Sequence, residues 1–214
     1  MVASVCGGMI PSARAQEMQF RVEPIGAGAD CERRCPKAII AEGQISLQTA
    51  EEFVTFYRGL RREPNVKNVL FIHSPGGFLY GGLEFGQVLR KLGMTVVVAR
   101  VGRSDGARRP LLNGSCYSAC VYALMGGRNR VVPDASEVGV HRIHTRGQLD
   151  VADRGAGLKH VFATNDVVAD VRRYSRRMGV RPEIVDIAES IGPQEIRRLT
   201  AAEIQKLGLA RKRL

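Results

Sequence analysis

The chain has 214 residues, 44% hydrophobic and 25% charged. These proportions suit one folded domain with a full core and exclude a disordered or low-complexity protein, and no stretch approaches the roughly 20 apolar residues of a membrane-spanning helix. Its 32 Lys and Arg against 21 Asp and Glu leave a net charge of +11, but these basic residues are scattered, aromatics are few and no nucleic-acid motif accompanies them, so a basic surface able to associate with an anionic cell envelope is expected rather than a nucleic-acid partner.

Val2 to Ile10 is small and apolar, and Ala13-Arg14-Ala15 before Gln16 fits the small-residue cleavage pattern of a secretory leader. Residues 1–15 therefore read as a signal peptide, shortened and without a basic start, and the mature protein as periplasmic or secreted. The alternative is a disordered tail. Residues 16–36 read as an extended lead-in and 37–210 as a single α/β domain, with a basic tail at 211–214.

Within the domain, Ala38-Ile39-Ile40-Ala41 and Gly43-Gln44-Ile45 predict a strand pair around a tight turn. Thr49 is the expected N-cap of a helix carrying Phe53, Phe56, Tyr57 and Leu60 on one face. Val66 to Ile72 is a short apolar run of the buried-strand kind, broken by Ser74-Pro75-Gly76-Gly77. Leu83 to Leu92 predicts the next helix, ended by Gly93, and Thr95 to Val101 another strand, together a right-handed parallel crossover. Gly102 to Gly114 has loop composition. Tyr117 to Leu124 reads as a buried helix, Val131-Val132 and Val138 to Ile143 as strands, and Leu158 to Met178 as a long helix ended by Gly179. Pro182 opens another helix, and Thr200 to Glu203 has the spacing of a capping box.

Three segments carry chemistry when taken together. Glycines after a buried strand let backbone N–H groups point into an open site. Ser118 stands at a helix start, where unpaired N–H groups and the helix dipole favour developing negative charge. His141, on the following strand, can act as a base. Each segment has a plain structural reading on its own: a tight turn, a small packed residue, a core histidine. His144 lies three residues on and is expected on the opposite strand face, and His73 is expected to be structural.

Cys6 falls within the predicted leader, leaving Cys31, Cys35, Cys116 and Cys120. An even count in an oxidising compartment predicts disulfides, with free thiols or a four-thiolate zinc site as alternatives. Three connectivities are open: a bond between Cys116 and Cys120 inside a regular helix would be strained, whereas pairing one of them with Cys31 or Cys35 would staple the lead-in to the serine segment.

The segment from about Ala38 to Leu209 resembles the Clp protease proteolytic subunit and its relatives in the Clp/crotonase fold of repeated ββα units. The matching residues are Ser74-Pro75-Gly76-Gly77, the small residues around Ser118, Gly127, Arg130-Val131-Val132-Pro133, the strand ending in His141, and Leu199-Thr200-Ala201-Ala202-Glu203 with Leu207-Gly208-Leu209. The paired cysteines make it similar to an exported, periplasmic branch. The resemblance implies Ser118 as nucleophile, His141 as general base, and Gly77 and Ala119 as oxyanion-hole donors. It departs at the third member, where the family's aspartate aligns with Ile196; adjacent Glu195 is the expected acid, with Asp186 and Glu189 as fallbacks. The Gly102–Gly114 stretch is longer than the family's connection. Related signal-peptide peptidases use a Ser–Lys dyad, but Lys159 reads as a solvated charge.

The expectation is a periplasmic serine peptidase acting on peptide or protein, without metal, nucleotide or organic cofactor and without an ATPase partner. The family's ring assembly implies a homo-oligomer. The alternative is a catalytically silent domain of the same fold used for binding or assembly at the envelope, and an acyl-CoA enzyme of the crotonase kind is a weaker third reading.

Overall fold

Apolar runs with few charges can sit only where both sheet faces are covered, and they form the middle of a five-stranded sheet. The computed structural model describes residues 16–25, 35–104, 107–147, 159–192 and 194–210. The predicted leader and basic tail lie outside them, as does Cys31. The sheet runs β1 (Gln19–Pro24), β2 (Lys37–Glu42), β3 (Val66–His73), β4 (Thr95–Val98), then β8 (Asn129–Val131). β1 is antiparallel to β2 and the other pairs are parallel. Thus part of the expected lead-in is an edge strand. Gly43-Gln44-Ile45 does not fold back on β2 as expected; Ile45 instead bridges Gly77.

Alternation along the strands divides the apolar residues between two clusters. Ile39, Ala41, Leu70, Ile72, Val96 and Val98 face the main core, while Ala38, Ile40, Phe71, Val97 and Val131 face a smaller one. Helices α1 (Thr49–Gly59), α2 (Leu79–Lys91) and α3 (Ala119–Gly126) pack into the main core, with Phe20, Phe53 and Phe85 in mutual ring contact. Thr49 is the first residue of α1 rather than its cap: Gln48 takes that place, and the Thr49 hydroxyl accepts the Ser46 N–H at 2.9 Å.

Most of the described part of the 102–114 segment is strand and not loop. β5 (Arg100–Ser104) and β6 (Ala107–Leu111) pair antiparallel. A second, three-stranded sheet orders β12 (Arg197–Arg198), β9 (Glu137–Val140) and β7 (Ser115–Tyr117), with β7 parallel to β9. A Ser74–Cys116 bridge joins β7 to the end of β3. β10 (His144–Gly147) and β11 (Lys159–Phe162) form a separate hairpin, so Lys159 stands on a strand and not at a helix start. The long helix α4 begins only at Asn165, because Thr164 caps it, and runs to Arg177. α5 (Glu183–Glu189) and α6 (Ala201–Lys206) follow, the latter with the complete Thr200–Glu203 capping box. Among the described residues no helix is long and apolar enough to cross a membrane.

Candidate active site

Two strand ends and one glycine turn meet at Ser118. The Tyr117 N–H is bonded to the Ser74 carbonyl at 3.1 Å, and the Ser118 N–H reaches the Gly139 carbonyl of β9 at 2.9 Å. At Ser118 the chain adopts φ 54°, ψ −121° and passes directly into α3. A Cβ is crowded in this region, and holding one there costs about 1–3 kcal/mol. The same strand–turn–helix shape lifts a nucleophilic serine above a sheet in hydrolases.

That turn corrects the cysteine expectation. Cys116 lies on β7 instead of in a helix, so Cys116 and Cys120 flank the turn with Cα atoms 5.2 Å apart and are disulfide-bonded to each other. Cys35 is also disulfide-bonded, and its bond therefore does not reach the serine segment.

The glycines are required by close approach. Gly76 has φ 99°, and a methyl group there would stand 2.8 Å from Cβ of Ser118 and 3.2 Å from the Ala119 nitrogen. Gly77 has φ 144°, and its Cβ would meet the Ile45 carbonyl oxygen at 2.0 Å. Ile45 donates to the Gly76 carbonyl at 2.8 Å and accepts from the Phe78 N–H at 2.9 Å. These bonds use the neighbours of Gly77, so its own N–H points away from Ile45. Neither the Gly77 nor the Ala119 N–H has an acceptor among the described residues. Unpaired backbone donors on the two segments that meet at the serine turn are groups of the kind that can hold an oxyanion.

β9 ends at Val140, so His141 stands just beyond it, two residues after the carbonyl that holds Ser118. The chain leaves the sheet there, and His144 does not take the opposite face as expected. The two rings lie 5.1 Å apart, and their Nδ1 atoms both contact the Arg142 carbonyl, at 2.8 Å for His141 and 2.9 Å for His144. A carbonyl only accepts, so each Nδ1 carries a proton, and the His141 ring in its neutral form keeps Nε2 as its basic nitrogen. Among the described residues no hydrogen bond joins the Ser118 hydroxyl to His141. Burial holds the His141 pKa below its ordinary value; His144 adds to this, while the Arg142 carbonyl and Glu189 oppose it.

Of the carboxylates singled out in the sequence, Glu189 borders this loop. Its Oε1 accepts the Ile143 N–H at 3.1 Å and its Oε2 lies 3.4 Å from Arg142 Nε. Glu195 is exposed, with its N–H on the Gly192 carbonyl. Asp186 is bonded to Arg172 at 2.5 Å, and Ile196 lies over Gly139. His73 Nδ1 accepts the Ser115 N–H at 3.0 Å and braces β7. The Arg142 carbonyl had no signal in the sequence because it is backbone; Glu189 had only its place near a helix end. Among the described residues no three His, Cys, Asp or Glu side chains group to hold a metal.

No family model matches the chain, and no curated protein matches it. Solved structures do. ClpP1 from Listeria monocytogenes superposes with TM-score 0.52 at 16% identity, covering 81% of this chain and 88% of that one. A membrane protease specific for a stomatin homolog from Pyrococcus horikoshii gives 0.50 at 17%, covering 82% and 70%. A membrane-bound stomatin-specific protease in complex with a substrate peptide gives 0.51 at 18%, covering 81% and 71%. The chain thus has the Clp protease-like fold.

Proposed function

We propose that this chain is a serine hydrolase, a peptidase, with Ser118 as nucleophile. The observation that carries this reading is the φ 54° turn at Ser118 against Gly76, with the Gly77 and Ala119 N–H groups free beside it. Ser118 Oγ attacks a carbonyl carbon, His141 Nε2 takes the hydroxyl proton, and the two N–H groups hold the oxyanion. The protonated imidazole then gives that proton to the leaving amine, and water releases the acyl group by the same route reversed. The Arg142 carbonyl fixes the imidazole tautomer, a job that an aspartate performs in a triad. Glu189 supports the carboxylate role through its bonds to the same loop, whereas Glu195, the acid expected from the alignment, would need to turn inward.

The solved proteases of this fold support a peptide or protein substrate. Buried disulfide-bonded cysteines support an oxidising compartment, the periplasm in this reading. Exposed Phe78, Tyr80 and Leu112 support self-association. A catalytically silent binding domain is the second reading. It draws on the open Ser118–His141 pair and on Ile196 at the aligned acid position.

The test is labelling of the purified chain with a fluorophosphonate, comparing wild type, Ser118→Ala and His141→Ala. The hydrolase reading expects labelling of wild type, none of Ser118→Ala, and a loss of about 100-fold or more in His141→Ala. A folded, oxidised wild type that takes no label would favour the binding domain.

A further inference from the structure

We propose that the Cys116–Cys120 disulfide is a positioning element for acyl transfer, holding the Ser118 turn in the one shape that presents both its Oγ and the Ala119 N–H. This inference rests on the serine-hydrolase reading.

The bond joins the residues two before and two after Ser118, so the covalent ring encloses Tyr117, Ser118 and Ala119. These are the offsets at which the sharp turn of a G-x-S-x-G hydrolase motif carries glycines, because the turn brings the backbone at both positions close together. Here the same closeness, 5.2 Å between Cα atoms, is used for a bond.

The need for it follows from the hydrogen bonds. On the strand side the turn is well tied, through Tyr117 N–H to Ser74 and Ser118 N–H to Gly139. On the helix side, outside the bonds within α3 itself, the Val121 N–H is the one backbone donor among the described residues that returns to the Ser118 carbonyl, at 2.9 Å. The Ala119 N–H cannot help, since an oxyanion donor must stay unpaired. A non-glycine residue at φ 54° would relax if nothing closed the far side. A covalent link closes it and leaves the N–H free.

Both cysteines are fully buried in the main core, so the bond is packed in place. The loop that it closes is short, and short loops remove less denatured-state entropy than long ones. Its effect should therefore be local.

The experiment uses the full oxidised chain and a fluorophosphonate. Wild type, the Cys116→Ala/Cys120→Ala double variant and the control Cys35→Ala are compared by labelling rate against probe concentration, by thermal unfolding, and by amide exchange over residues 115–126. The expected result is a cooperatively folded double variant whose maximal labelling rate falls about 100-fold. Its half-saturating concentration stays within about twofold of wild type, and the added exchange is confined to 117–121. Wild type reduced while unfolded and refolded in phosphine reductant should match it, and Cys35→Ala should label normally.

A folded double variant that labels at the wild-type rate overturns the proposal. So does a loss of cooperative unfolding in both the double variant and the reduced wild type, which would make the bond a staple of the fold. A wild type that takes no label defeats the hydrolase reading instead, and the exchange comparison still decides whether the bond holds the turn.

Discussion

His141 must be neutral to accept a proton, and its surroundings favour that form. Burial weighs most, and His144 adds a like charge when protonated. The acid limb of the labelling profile should therefore lie below pH 6.5, the ordinary imidazole value, which a pH series of labelling rates measures. The same depression links to stability: the unfolded chain binds the proton more readily, so stability is full above the unfolded value and is lost as pH falls through it toward the folded one. Because Glu189 raises the His141 pKa, Glu189→Gln should move the acid limb further down and slow labelling about tenfold. Glu195→Gln should leave the limb in place; movement there instead would return the acid role to Glu195. At Gly77 an added methyl meets the Ile45 carbonyl, so Gly77→Ala should lower the labelling rate by about 100-fold or more, read by the same assay.

α3 is the element that delivers Ser118, and every residue in it is buried. It lies close against α2 because neither Gly82 nor Gly86 has a side chain: a Cβ at Gly82 would meet the Ala119 carbonyl oxygen at 2.4 Å, and one at Gly86 the Tyr122 carbonyl oxygen at 2.7 Å. Its C-terminal carbonyls are gathered by arginine. Arg130 donates to the carbonyls of Met125, Gly127, Met178, Gly208 and Leu209, which ties the ends of α3, α4 and α6 together. Arg130→Ala would take the arginine donor from the Gly127, Gly208 and Leu209 carbonyls, while Arg90 would still reach those of Met125 and Met178. The substitution should cost about 3 kcal/mol and lower the melting temperature by about 6–12 °C in a thermal unfolding scan. The Arg130-Val131-Val132-Pro133 segment was visible in the sequence as a motif, but its role depends on three helix ends converging, which no local pattern encodes.

At the scale of the whole molecule, large apolar side chains stand exposed: Phe78 at 56%, Tyr80 at 55% and Leu47 at 49%. Phe78 follows the Gly77 donor directly, so this surface lies at the edge of the candidate site. In the oligomer reading, sedimentation should show a species heavier than the 23.4 kDa chain, and Phe78→Ser with Tyr80→Ser should shift it toward monomer. Much of the architecture was legible beforehand. Apolar runs marked β3 and β4, glycines marked the turn at 76–77, and the Thr200 capping box marked α6. The errors fall where pairing overrides composition. The Gly-rich 102–114 stretch looks like a loop, yet forms a hairpin because its two halves bond to each other. Lys159 to Phe162 continues a helical pattern, yet becomes a strand opposite His144 to Gly147.

By itself the sequence determined the α/β class, the order of the apolar strands, and the short list of groups able to do chemistry, because these depend on periodicity and on residue type. Only the tertiary structure decided how those groups meet. The bond between Cys116 and Cys120 requires a chain reversal at Ser118, and that reversal is set by β7 pairing with β9 and by Gly76 packing on the serine. The acceptor for His141 is a backbone carbonyl, an atom that every residue carries and no residue name reveals. Contacts between segments distant in the chain, and backbone atoms aimed by a turn, are properties of the folded chain.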